Sequence, residues 1–378
     1  MRKLIEYAAQ GKPTVGRPYA RAMAHRATAK ARASAATRRR AIWRRRASAA
    51  IVLVLGYALV GWVTATHHAA RRGSTQTAAR RASRPRSAGL PEKLLVRLLP
   101  LRLPFALQDT AGVPLGSGRA ALLGGLNAAD TSTATVSVLD VRGVTASASL
   151  PEAQHDAQGV MLDGRVYVFG GGQFDSYDHI LSYDPVTGSV VQVASLPTAT
   201  SDAAVAALAG TAYVVGGYDG QQALDTIVAW RPGGQPKLVA RLPYGLRYAA
   251  VAATDGRLLI AGGSHDEAAT TTILSFDPAT GDLRHIGDLP EPITHAAAVA
   301  LGSYVYILGG RGSAAGTQSA AIVAVDAATG RSVRDGRLPQ PLSDAAAIPV
   351  GDGRVWLAGG LGAAGTVDSV LELTPSTP

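Results

Sequence analysis

The chain reads as an all-β protein built from six repeated units, preceded by one apolar helix of membrane length and a basic tail. Three observations carry that reading. A glycine pair closes an apolar run six times at near-constant spacing, short strand-like runs fill the intervals, and twenty uncharged residues follow a block of arginines.

Length and composition set the bounds. A chain of 378 residues holds one large domain or two small ones, and 47% hydrophobic with 17% charged residues excludes a wholly disordered protein. The absence of cysteine excludes disulfide frameworks, thiolate metal sites, cysteine nucleophiles and iron–sulfur clusters. The formal charge of +10 averages two unlike segments. Residues 1–90 carry 20 Lys and Arg against one acid, Glu6, whereas residues 91–378 carry 17 against 26. The basic excess therefore belongs to the leader, and no nucleic-acid partner is expected for the larger part. A total of 32 Arg against 5 Lys fits a GC-rich bacterial genome.

The leader divides at Ala47. From Ala47 to Thr66 no residue is charged, and twenty residues rising ~1.5 Å each span ~30 Å, the thickness of a bilayer's hydrocarbon core. Ile51 to Val63 is apolar around the whole helical circumference, where a soluble helix keeps one polar face. Fourteen Lys and Arg precede this span, with clusters at Arg38, Arg39, Arg40 and at Arg44, Arg45, Arg46; six follow before residue 91. That asymmetry predicts a cytoplasmic N-terminus and a C-terminal part outside. A cleaved signal peptide is the competing reading, although no A-x-A site follows the span. The expected organisation is a disordered basic tail over 1–46, a single-pass membrane anchor over 47–66, a flexible linker over 67–90, and the repeats over 91–378. The membrane, met through residues 47–66, is thus one expected partner.

The repeats are marked at three points. Glycine pairs begin at Gly124, Gly170, Gly216, Gly262, Gly309 and Gly359, spaced 46, 46, 46, 47 and 50 residues apart. Leu-Pro precedes each by 20 or 21 residues, at Leu103, Leu150, Leu196, Leu242, Leu289 and Leu338. In mid-cycle come YDPVTG at Tyr183 to Gly188, FDPATG at Phe276 to Gly281 and VDAATG at Val325 to Gly330, with a degraded WRPGG at Trp230 to Gly234. Between the markers lie runs of four to seven Ala, Val, Ile and Tyr residues bounded by Asp-Gly, Pro or Gly, which is the pattern of strands. In the second repeat these fall at Ala157 to Met161, Val166 to Phe169, Ile180 to Tyr183 and Val190 to Val193, a four-stranded antiparallel meander with Asp163-Gly164 as its tight hairpin.

These residues closely resemble the Kelch repeat, whose marks are a Gly-Gly after an apolar strand, an aromatic three residues earlier and a D-P-x-T-G turn. The aromatic is Tyr167, Tyr213, Tyr306 and Trp356 here, but Ala121 and Leu259 stand at the other two places, and the family's tryptophan after the T-G turn is missing throughout. The resemblance spans residues 91–378 and implies a six-bladed Kelch-type β-propeller, one sheet per repeat around a central channel. The last repeat lacks its outer strand, while Lys93 to Leu98 precedes the first Leu-Pro; that segment is expected to complete blade six and close the ring. A solenoid of stacked repeats is the alternative.

In such a meander the loops after Leu-Pro and after Gly-Gly emerge on one face, the face that carries function in the Kelch family. Six residues past each Leu stand Asp109, Asp156, Asp202, Tyr248, His295 and Asp344; five past stand Gln108, His155, Ser201, Arg247, Thr294 and Ser343; these twelve positions are expected to ring the mouth of the channel. Asp and Ser at such places commonly bond loop backbone, so the departures from the Ser-Asp pattern, Arg247, Tyr248, His155 and His295, are the more informative. The expected ligand-binding face comprises His155, Asp156, Phe174, Tyr177, Tyr218, Arg247, Tyr248, His265, His295 and Arg311, with Phe174 and Tyr177 as exposed aromatics suited to a sugar ring or a peptide side chain.

The expected function is a binding module for a glycan or protein ligand. The alternative is an extracytoplasmic carbohydrate-active enzyme, a mutarotase or epimerase, using Glu267 near Arg247 with His155 as acid–base groups. Kelch mutarotases of sialic acid are six-bladed and extracytoplasmic too, a likeness at the level of fold alone. Copper-radical oxidases share the repeat but need a cysteine, which excludes them. His155, His179, His265 and His295 fall on different repeats without H-x-H or H-x-x-x-H spacing, so no metal is expected, nor is any cofactor. No nucleophile elbow, phosphate loop or zinc motif is present.

Overall fold

The computed structural model describes residues 91–376, and over that range it is all-β. The expected tail, membrane helix and linker lie outside the described residues. Six antiparallel sheets follow one another along the chain, five of four strands and the fourth of five, its extra strand the short Ser264–His265. Their innermost strands are Ala111–Gly116, Gln158–Leu162, Ala204–Leu208, Ala250–Thr254, Ala297–Leu301 and Ala346–Gly351. Each innermost strand packs beside the next, and the sixth packs beside the first, so the sheets form a closed ring of blades rather than a solenoid.

The apolar runs are explained by burial on both faces of each sheet. In blade two, Val166 and Val168 enter a core shared with blade one, while Tyr167 and Phe169 enter a core shared with blade three. Six such cores occur, one in each seam between neighbouring blades. The tryptophan missing after the T-G turns is partly replaced in one seam: Trp230 packs edge-on against Tyr167 at 4.9 Å and Phe169 at 5.6 Å across blades two and three.

Each glycine pair does two jobs. At Gly170 φ is +58°, and an added Cβ would lie 1.9 Å from the carbonyl oxygen of Thr200 in the next blade. The N–H of Gly171 donates to that same carbonyl at 2.9 Å. The same bond recurs at Gly125, Gly217, Gly263, Gly310 and Gly360. The pair thus supplies a left-handed backbone and the close approach that stitches one blade to the next. The D-P-x-T-G turn is equally local: Asp184 accepts from the N–H groups of Val186 and Thr187 at 2.9 and 3.3 Å, and Arg165 pairs with it at 3.2 Å.

The ring closes as expected. Leu94–Arg102 forms the outer strand of blade six, with Leu94 opposite Pro375 and Leu98 opposite Leu371 in an antiparallel ladder. Two further contacts fix its start, a bond from Tyr306 Oη to the Glu92 carbonyl at 2.8 Å and one from the Ser376 N–H to the Lys93 carbonyl at 2.7 Å.

Candidate functional site at the channel mouth

The two sets of loops meet on one face. In every blade, the residue five past the Leu pairs with the residue just after Gly-Gly: Gln108 with Leu126, His155 with Gly172, Ser201 with Tyr218, Arg247 with Ser264, Thr294 with Arg311, and Ser343 with Leu361. These short ladders fix the next residue of each loop over the axis.

That next residue forms a belt. Asp109, Asp156, Asp202, Tyr248, His295 and Asp344 all have φ between +52° and +59°. The N–H of each donates to the carbonyl of its counterpart in the preceding blade, at 2.9–3.2 Å, and the N–H of Asp109 donates to Asp344, so six hydrogen bonds close a circle. A left-handed backbone suits aspartate and histidine better than tyrosine, which it costs about 1–2 kcal/mol. The belt rims one end of a central cavity of about 390 Å³, whose wall below is largely alanine, glycine, valine and proline of the innermost strands.

The side chains of the belt face one another. Asp344, Asp109, Asp156 and Asp202 follow one another round the belt and line the same cavity. Asp202, 3% exposed, receives Arg247 through Nη2 at 2.5 Å and Nε at 2.7 Å. The Arg247 guanidinium lies 4.1 Å over the Tyr218 ring and 5.2 Å from the Tyr248 ring. Tyr248 stacks on His295 at 3.6 Å and reaches Asp156 through its hydroxyl at 3.4 Å. Arg311 donates to His295 Nε2 at 3.0 Å, and Ser343 donates to Asp344 at 2.5 Å. His155 lies beside the belt, with Nδ1 2.9 Å from the Ser132 hydroxyl and Nε2 3.6 Å from Asp156.

Protonation follows from these partners. Burial, then the neighbouring charges of Asp156 and Asp344, lifts the Asp109 carboxyl well above the usual carboxylate range; burial and the charge of Asp202 do the same to Asp156. Burial also raises Asp344. Burial and the adjacent Arg311 and Arg247 lower His295 to about 3. Geometry agrees, because a guanidinium only donates, so Nε2 of His295 is the acceptor and Nδ1 holds the proton facing the Thr294 hydroxyl at 3.1 Å.

Seven of the ten residues expected on the binding face join this network: His155, Asp156, Tyr218, Arg247, Tyr248, His295 and Arg311. The others lie elsewhere on the loops. Phe174 is 92% exposed at the tip of the Gly-Gly loop of blade two. Tyr177 is half-buried rather than exposed, its ring 5.0 Å from His179 and its hydroxyl on the Ala153 carbonyl. His265 packs on Tyr244 at 4.3 Å and bonds the Gly245 carbonyl. The expected pairing of Glu267 with Arg247 is replaced: the guanidinium goes to the buried carboxylate of Asp202, and Glu267 stands on an exposed turn. Asp109, Asp202 and Asp344 stand round the mouth, as their place six past the Leu predicts, with Asp202 held by Arg247 and Asp344 by Ser343. Among the described residues, no three His, Asp or Glu side chains are grouped to hold a metal ion.

A closed ring of six antiparallel blades with its polar mouth defines the class as a six-bladed β-propeller. Residues 155–197 and 199–234, blades two and three, match the Kelch motif. The solved structure titled "Structure of YjhT" is similar in fold, with a TM-score of 0.63 at 19% identity, covering 72% of this chain and 96% of that chain. No curated protein matches the sequence.

Proposed function

We propose that the chain is a membrane-anchored, extracytoplasmic binding module that takes a glycan on the loop face of its propeller. One observation carries the reading: a fully exposed aromatic, Phe174, stands on the same face as a mouth where carboxyls, guanidinium groups and hydroxyls are held in fixed positions. Sugar rings stack on exposed aromatics, and their hydroxyls need donors and acceptors together. The Kelch repeats support an interaction role, since the fold presents loops rather than a preset reaction centre. The isomerase alternative relied on Glu267 beside Arg247, and Arg247 is committed to Asp202. The anchor over 47–66 and its orientation rest on the uncharged span and the arginine asymmetry around it.

The test is a thermal-shift panel of mono- and oligosaccharides and cell-wall fragments on the full chain in detergent, with Phe174→Ala as partner variant. A saccharide that raises the melting temperature of the native chain and not of the variant is the expected result. A silent panel, with native chain captured by a protein component of the envelope, would replace the glycan by a protein ligand.

A further inference from the structure

Two large aliphatic side chains stand in water close to where the chain enters the propeller. Leu95 and Leu98 are 60% and 51% exposed on the outer strand of blade six, which is the edge of its sheet. Lys93, Arg97 and Arg102 are exposed along the same edge. Arg97 and Arg102 pair with Glu372 and Asp368 at 2.7 and 3.1 Å, which holds both guanidinium groups at the rim beside the leucines. Between Leu98 and Arg102 the ladder is bulged, four residue steps on this strand facing two between Leu371 and Ser369. An open groove of about 520 Å³ lies there, lined by Leu98, Ala106, Pro339, Val367 and Leu371. Apolar groups rimmed by cations on an unpaired edge have the composition of a docking surface.

The sequence before this strand names the occupant. Residues 67–90 lie between the expected anchor and the first described residue; they hold six arginines and no acid, and 24 residues reach at most ~80 Å. A short basic tether of that kind favours phospholipid headgroups and makes even a weak contact with the bilayer effectively intramolecular. We propose that the outer edge of blade six is a membrane-docking surface: Leu95 and Leu98 enter the headgroup layer, and Lys93, Arg97 and Arg102 meet its phosphates. This rests on the anchor reading of residues 47–66. The outer strands of blades two and three also expose aliphatic groups, Val191, Val193, Leu238 and Val239, but no chain from the anchor enters there. Docked on blade six, the propeller lays its axis along the bilayer, and the mouth opens along the membrane surface rather than away from it.

The chain has no cysteine, so a single introduced cysteine takes the only thiol label. The full chain is reconstituted into vesicles of phosphatidylcholine and phosphatidylglycerol in equal parts, with a fluorophore at Leu59→Cys, Leu95→Cys, Leu98→Cys, Val191→Cys or Leu238→Cys and spin-labelled phospholipid as the quencher. The expected result is loss of fluorescence from the labels replacing Leu59, Leu95 and Leu98, and none from those replacing Val191 and Leu238. A quenched label at Leu59 with unquenched labels at Leu95 and Leu98, or equal quenching at both blade-six and both control positions, overturns the docking surface and leaves the anchor standing. An unquenched label at Leu59 removes the anchor and this proposal with it. Should a labelled variant fail to fold, hydrogen exchange of the native chain decides. Peptides from 94–102 should be more protected in the vesicles than in detergent, with those from 190–195 and 237–241 alike in both; equal exchange in all three overturns the proposal.

Discussion

The backbone N–H of Asp109, in the first blade, donates to the carbonyl of Asp344, in the last, at 3.0 Å. This bond closes the belt at the same junction that the N-terminal strand closes from outside. Ring closure is therefore secured twice, at the axis and at the rim.

The outer closure can be removed. Deleting residues 94–102 strips buried Leu94 and Leu101 from the two seams that flank blade six. Each buried leucine contributes about 1.5–3 kcal/mol. The deleted chain should unfold at markedly lower denaturant and be cut by protease in blade six first; unchanged unfolding would show that the strand is dispensable.

The glycine pairs should separate conformational cost from contact cost. Gly170→Ala places a Cβ against the Thr200 carbonyl as well as forcing φ +58°, and should cost about 3 kcal/mol or more. Gly164→Ala, at φ +79° in the Asp163-Gly164 turn with nothing within 4 Å of the added Cβ, should cost about 1 kcal/mol. Equal losses in denaturant titrations would mean that the approach between blades is not tight.

Much of this was legible in the sequence. The Gly-Gly, Leu-Pro and T-G markers gave the blade count, the four strands of the second meander and the closing strand, because each marker is a local backbone requirement: left-handed φ at Gly170, or an aspartate capping its own turn at Asp184. The partners of the mouth were not legible. Arg247 reaches Asp202, 45 residues away in the preceding blade, and no local pattern encodes a contact across the ring. The departures from the Ser-Asp pattern led to Tyr248 and His295, and the count from each Leu placed Asp109, Asp202 and Asp344 at the mouth, but not the groups they meet there.

Arg247 should prove structural as well as ligand-facing. Arg247→Ala leaves Asp202 buried without its partner, at a cost of about 3–5 kcal/mol. Adding Asp202→Asn should return part of that loss in a double-mutant cycle, because the neutral amide needs no counter-charge. Additive effects of the two substitutions would deny the pair.

Stability should fall on both sides of a maximum. Asp109 and Asp156 have folded values raised above the unfolded ones, so their contribution is complete below about pH 4 and is lost as pH rises through the raised values. His295 is lowered to about 3, so its contribution is present above the unfolded value near 6.5 and is lost as pH falls toward 3. Asp109→Asn should flatten the alkaline limb of the melting temperature and leave the acid limb in place. A variant with both limbs unchanged would exclude Asp109 from the titration.

The most direct test of the account is a hydrogen-exchange footprint of the full chain in detergent with each saccharide that shifts its melting temperature. The predicted result is protection confined to the loops after Leu-Pro and Gly-Gly, with the peptide holding Phe174 and those holding the belt among them. Protection on the outer strands or on the opposite turns, with the mouth unchanged, would contradict it and move the site away from the belt.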